Sequence, residues 1–179
     1  RIIKAPNDLI PIRTYNGCGF IDYKNNIAIT PMYGEDIDCF GDGELFIVSL
    51  ARKSADGISW SSKGVIDRFE NVVLPFNYDK IYPIKCTKNG EYIFVVENGL
   101  FTIINSSQEQ IIDKEFESVR FGDGLIYLLH EQEWFVYDSD VSLIAKFCEN
   151  EICIRDIRGT TVCIAGRWLP INKVLNSNC

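Results

Sequence analysis

The feature that most restricts what this chain can fold into is a stretch that recurs. Gly64-Val65-Ile66-Asp67-Arg68-Phe69-Glu70-Asn71-Val72-Val73-Leu74-Pro75-Phe76-Asn77-Tyr78 reads as a short strand, a polar turn, a second apolar strand, a proline and an aromatic. An earlier copy runs from Gly19-Phe20-Ile21-Asp22 to Ile27-Ala28-Ile29-Thr30-Pro31-Met32-Tyr33. Polar residue and aromatic lie 11 residues apart in both, Asp22 to Tyr33 and Asp67 to Tyr78, and again from Asn105 to Phe116 in a more diverged third copy. A second series interlocks with the first. Phe40-Gly41-Asp42-Gly43, Lys88-Asn89-Gly90, Phe121-Gly122-Asp123-Gly124 and Arg158-Gly159 each lead into an apolar run. Asp-Gly and Asn-Gly pairs supply the φ > 0 residues that tight turns need, so these are expected turns with a mechanism.

The strand-ending polar residue falls at Asp22, Asp67, Asn105, Asp138 and Asn172, and the turn glycines at Gly43, Gly90, Gly124 and Gly159, a period of about 33–47 residues. Units of this size cannot bury their own apolar face and must stack. Residues 1–179 therefore read as a single repeat domain of about four units. The expected fold is all-β, tandem antiparallel units in a twisted array or solenoid. Eight Tyr and eleven Phe, many beside Ile or Val, agree with strands. The alternative is a closed, propeller-like arrangement, in which the edge strand Leu9–Ile12 completes a blade with Trp168-Leu169-Pro170-Ile171-Asn172. Leu9–Ile12 reads as a half-unit, and Arg1 stands where a Met would, which leaves room for an upstream segment, a targeting one included.

One interval breaks the rhythm. Gly43 to Asp67 spans 24 residues, about ten more than its equivalents, and the excess is Ala51–Ser62. It is expected to be an inserted loop on one edge of the array. Trp60 within it, with Arg52, Lys53 and Asp56 alongside, forms the candidate partner contact.

Composition narrows the chemistry. Net charge is −7, from 18 basic and 25 acidic side chains, with the basic ones scattered, which disfavours nucleic acid. No run of 18 apolar residues exists to span a membrane. Seven cysteines, an odd number without C-x-x-C spacing, point to reduced thiols and a cytoplasmic location. His130 is the only histidine and reads as a strand-end surface residue. Phe-Gly-Asp-Gly offers one carboxylate where Ca²⁺ wants six to eight oxygens, so it reads as a turn. Cys148, Cys153 and Cys163 lack the paired spacing of a zinc site. The recurring acids Asp22, Asp67 and Asp138 read as caps on turn N–H groups, and aromatics such as Phe20, Tyr33, Phe46, Tyr78, Tyr92, Phe94 and Phe116 as core. No residue is expected to be catalytic, to hold a cofactor or to ligate a metal.

These residues resemble the bacterial WG-repeat family, whose units run hydrophobic-Gly-hydrophobic-Ile-Asp, a turn, Val-Ile-Pro-x-x-Tyr-Asp, then Phe-x-x-Gly and a hydrophobic strand. Lys63–Tyr78 with Asp79 matches best, and Cys18–Tyr33 with Phe40–Val48 nearly as well. The likeness fades after about Asp138, where Ala145-Lys146-Phe147-Cys148-Glu149 replaces the Pro-x-x-Tyr step. The Trp-Gly pair itself is split: Cys18 and Lys63 precede the retained Gly19 and Gly64, whereas Phe101, Trp134 and Trp168 keep an aromatic without the glycine. The resemblance implies repeated antiparallel β units and carries no catalytic residues. The expected function is accordingly a non-catalytic protein-interaction module. A specific form of it neutralises a basic protein partner, as immunity proteins do. The alternative is a module that binds carbohydrate or a cell-surface ligand.

Overall fold

Each turn of the first series is built from the same bonds. In the computed structural model, which describes residues 6, 8–54, 57–86, 91–148, 152–155, 159–164 and 167–175, Asp22 Oδ1 accepts the N–H groups of Lys24 and Asn26, both at 2.8 Å. Asp67 Oδ1 accepts those of Phe69 and Asn71 at 2.8 Å, and Asp138 Oδ1 those of Asp140 and Ser142 at 2.9 Å. Asn105 Oδ1 accepts the Glu109 N–H at 2.8 Å. Three residues after each of these side chains the backbone turns left-handed, with φ of 64° at Asn25, 61° at Glu70, 65° at Gln108 and 60° at Val141. The carboxylate or amide thus satisfies donors that the reversing backbone would otherwise leave to water. The capping role expected of Asp22, Asp67 and Asp138 holds, and Asn105 shares it.

The fifth position departs from it. Asn172 sits inside a short helix, α1 (Ile171–Leu175), not at a strand end. Pro170 cannot donate to a ladder, and Ile171 and Val174, three apart, bury their side chains. Helical spacing of apolar residues overrides the turn there.

The strands divide between two compact units, Arg1–Gly99 with Ile103–Ile111, and Leu100–Thr102 with Ile112–Cys179. In the first unit, β1 (Leu9–Thr14), β2 (Gly17–Asp22), β3 (Ile27–Tyr33), β5 (Leu45–Ser54), β6 (Gly57–Asp67) and β7 (Val72–Tyr78) follow one another in a sheet, with β4 (Asp38–Phe40) paired to β5. A three-stranded sheet holds β8 (Lys80–Cys86), β9 (Tyr92–Asn98) and β10 (Leu100–Asn105), with β9 central. The second unit carries β11 (Ser118–Gly122), β12 (Leu125–His130), β13 (Glu133–Tyr137) and β14 (Leu143–Cys148) in one sheet, and β15 (Ile152–Arg155), β16 (Gly159–Ile164) and β17 (Arg167–Pro170) with α1 in another. Pairing is antiparallel throughout the registered ladders, and the fold is all-β apart from α1. The sheets are separate and none closes into a barrel. β1 is the edge of its sheet and pairs β2, and β17 is the edge of its own and pairs β16.

The expected inserted loop is a hairpin. Ala51–Ser54 and Gly57–Ser62 continue β5 and β6 outward past an irregularity between Leu50 and Ala51, with Ala51 opposite Trp60 and Ser54 opposite Gly57. Arg52, Lys53 and Trp60 are therefore strand residues. Their side chains, and Asp56 altogether, lie outside the described residues.

The sequence of β5 shows how the first unit is filled. Side chains alternate along a strand. Phe46 and Val48 join Phe20, Ile29, Tyr33, Ile37 and Ile66 in one cluster, while Leu45 and Ile47 join Val65, Leu74, Ile81 and Phe94 in another. A strand buried on both faces reads as an unbroken apolar run, which is how Leu45–Val48 reads. Each fully buried Phe or Leu contributes roughly 1.5–3 kcal/mol. In the second unit Tyr127, Trp134, Val136, Val162, Ile171 and Val174 form the core. His130 ends β12, as expected of it. It is half-buried, its Nδ1 lies 2.9 Å from the Glu115 carbonyl, and the rings of Phe116 and Phe135 meet it edge-on.

Candidate binding surface

The turn after Asp67 does more than reverse the chain. Glu70, at its left-handed position, reaches into the first repeat, accepting the Thr30 N–H at 3.1 Å, the Thr30 hydroxyl at 2.7 Å and the Tyr33 hydroxyl at 3.3 Å. Burial, then the Glu70 charge, push the Tyr33 phenol up to about 12. Arg68 of the same turn donates to both oxygens of Asp8, at 2.7 and 2.6 Å, and its hydrogen bonds hold that carboxyl below the usual range. Asp8 is the neighbour of Leu9, which pairs with Asp22. Arg68 thus ties the turn of the second repeat to the start of β1, and Glu70 ties it to β3.

The turns after Asp22 and Asp67 carry apolar side chains where turn chemistry asks for nothing apolar. Tyr23 is 70% exposed, Ile27 64%, Phe69 85% and Val72 58%. Ile27 and Val72 open the return strands, opposite Ile21 and Ile66, in identical registers. The same position in the second unit is Leu143, also exposed. Around these side chains stand fixed anions. Asn26 side-chain and backbone N–H groups hold the Asp22 carboxyl below the ordinary range. At Asp67 burial works upward, but the Asn71 and Phe69 donors outweigh it and the carboxyl is again lowered.

Sequence reasoning placed the candidate contact at Trp60, Arg52, Lys53 and Asp56 and missed these two tips. The signal was present. The turn requires an acceptor side chain at its first position and a left-handed residue at its fourth, so the aromatics Tyr23 and Phe69 serve neither demand.

A cleft of about 360 Å³ lies elsewhere in the first unit, lined by residues of β4, β5, β6 and β8. Phe40, Ile47, Ile81 and Pro83 give it an apolar wall, and Asp38, Lys63 and Lys80 bring charge to it. Lys80 is paired with Glu97 at 2.6 Å.

Antiparallel units with a repeated Asx-capped turn define a β-repeat chain. Residues 19–53 and 64–101 match the family model described as WG containing repeat, so these two stretches carry repeats of that kind. No curated protein matches the chain. A solved structure titled "Crystal structure of the eukaryotic initiation factor" is similar at a TM-score of 0.43 and 11% identity, over 88% of this chain and 45% of that one. The chain thus spans less than half of that neighbour's length.

Proposed function

We propose that this chain is a non-catalytic binding module whose partner is a protein segment that is both basic and apolar. The observation that carries the reading is the pair of Asp-capped turns in the first unit. There, two preorganised turns, braced by Arg68 and Glu70, hold Tyr23, Ile27, Phe69 and Val72 out of the core. Exposed aromatic and branched side chains on a rigid support lose little entropy on binding. Net charge of −7 favours a cationic partner and works against a phosphate backbone. Neutralisation of a basic protein is the specific form of this activity. Among the described residues no helix is long and apolar enough to cross a membrane.

Random peptides displayed on phage and selected on the immobilised chain test it. Selection is expected to enrich peptides carrying Lys or Arg beside aromatic or aliphatic residues. Their binding should fall about tenfold or more on the Phe69→Ser, Val72→Ser double variant. Peptides without that composition, or equal binding to the variant, would sink the reading. The exposed rings of Tyr15, Tyr23 and Phe69 also favour the second reading, a carbohydrate ligand, since planar rings stack on sugar faces. A glycan array probed with the wild type and with Tyr23→Ser separates the two.

A further inference from the structure

We propose that the cleft of the first unit is a small-molecule site for an organic monocarboxylate with an apolar body. The inference starts from what the repeat does with one position. The residue four before the turn acid is Cys18 in the first copy, Phe101 in the third and Trp134 in the fourth, and all three are buried. The fold makes this position inward-facing. In the second copy it is Lys63, half-buried, opposite Tyr78 in the same register that sets Cys18 opposite Tyr33. A cation has taken a place that the architecture gives to apolar side chains.

Such a charge is normally matched by a carboxylate, because partial desolvation without a partner is costly. Among the described residues no acid lies within ion-pair distance of Lys63. Lys80, on the same cleft, differs in that Glu97 holds it. Lys63 lines the cleft together with Phe40, Ile47 and Ile81. One cation and an apolar wall complement one anion with an apolar body. The volume, about 360 Å³, is at the low end of ligand sites and suits a small molecule. Asp38 on the cleft and Glu97 on Lys80 add negative charge, which disfavours a dianion such as a phosphate monoester.

The probe is 3-phenylpropionate, titrated by isothermal calorimetry against the whole chain, with 3-phenylpropionamide and phenyl phosphate as comparators. The carboxylate is expected to bind at least about tenfold more tightly than the neutral amide, since a charge-assisted bond is lost with it, and more tightly than the phosphate. Lys63→Met should abolish that preference while keeping the thermal midpoint at or above the wild-type value, because it restores an apolar residue to an inward position. Lys63→Arg keeps the charge and should keep the preference whether or not Lys63→Met folds. Absence of binding at millimolar probe, equal binding of amide and acid, or a preference that survives loss of the Lys63 charge would each overturn the assignment. Selective binding of the phosphate would overturn the carboxylate class.

Discussion

An aspartate at the end of a strand must satisfy its carboxylate somewhere, and here the answer is the next four residues of its own chain. Asp67 accepts two backbone N–H groups and, at Oδ2, the Asn71 side-chain amide at 2.8 Å. Asn105 fills the same role with an amide. Its presence sets the test. Asp67→Ala leaves both backbone donors to water and should cost about 1–2 kcal/mol by urea unfolding at neutral pH. Asp67→Asn keeps an acceptor and should cost less than half of that. The sign with pH follows from the depressed carboxyls of Asp67 and Asp22. A group whose folded value is lowered adds stability above its unfolded value, about 3.9, and loses it as pH falls through the folded one. The stability gap between wild type and Asp67→Asn should therefore narrow below about pH 4. A gap constant down to pH 2 would refute the charge contribution. This much was legible in the sequence, because a capping bond is local and needs only the spacing of a few residues. Glu70 was not, because its partners Thr30 and Tyr33 lie about 40 residues back and only the folded chain brings them near.

Glycine and the Pro-x-x-Tyr step, two features of the repeat, are one feature of the strand pair. From Val65↔Leu74 to Lys63↔Tyr78, β6 moves two residues while β7 moves four, so β7 bulges at Pro75–Asn77. Gly64 faces that bulge: a Cβ there would stand 2.9 Å from the Leu74 carbonyl oxygen and 2.9 Å from the Phe76 ring. Gly19 meets the Ile29 carbonyl and Pro31 in the same way. Where Phe135 replaces the glycine, β13 and β14 run on without the second irregularity, Phe135 opposite Lys146 and Trp134 opposite Phe147. The likeness to the repeat fades after Asp138 for that reason. Gly64→Ala is expected to destabilise by about 1–3 kcal/mol through overpacking against backbone, read from the urea midpoint, and Gly19→Ala similarly. No loss at either position would mean that the bulge relaxes freely. Strand periods and turns were legible here, but the hairpin formed by Ala51–Ser62 was not. Ser and Lys in that stretch look like loop, and only the pairing extended from β5 and β6 keeps it in strand form.

At the scale of the molecule the proposed partner would meet both the acidic balance and the apolar tips, and ionic strength separates their contributions. Tyr23, Ile27, Phe69 and Val72 contribute contact area, which salt barely changes. The excess of 25 acidic over 18 basic side chains instead sets a field that attracts a cationic segment before contact. Raising ionic strength from about 0.01 M to about 0.1 M shortens the screening length from about 30 Å to about 10 Å. For a peptide selected on the wild-type chain, the association rate should fall several-fold over that range while the dissociation rate stays nearly constant. The Phe69→Ser, Val72→Ser variant should do the reverse, raising the dissociation rate at every salt concentration and leaving the salt slope unchanged. Surface plasmon resonance on both chains measures all four rates. A salt-independent association rate would remove charge from the recognition and leave the apolar tips as its sole basis.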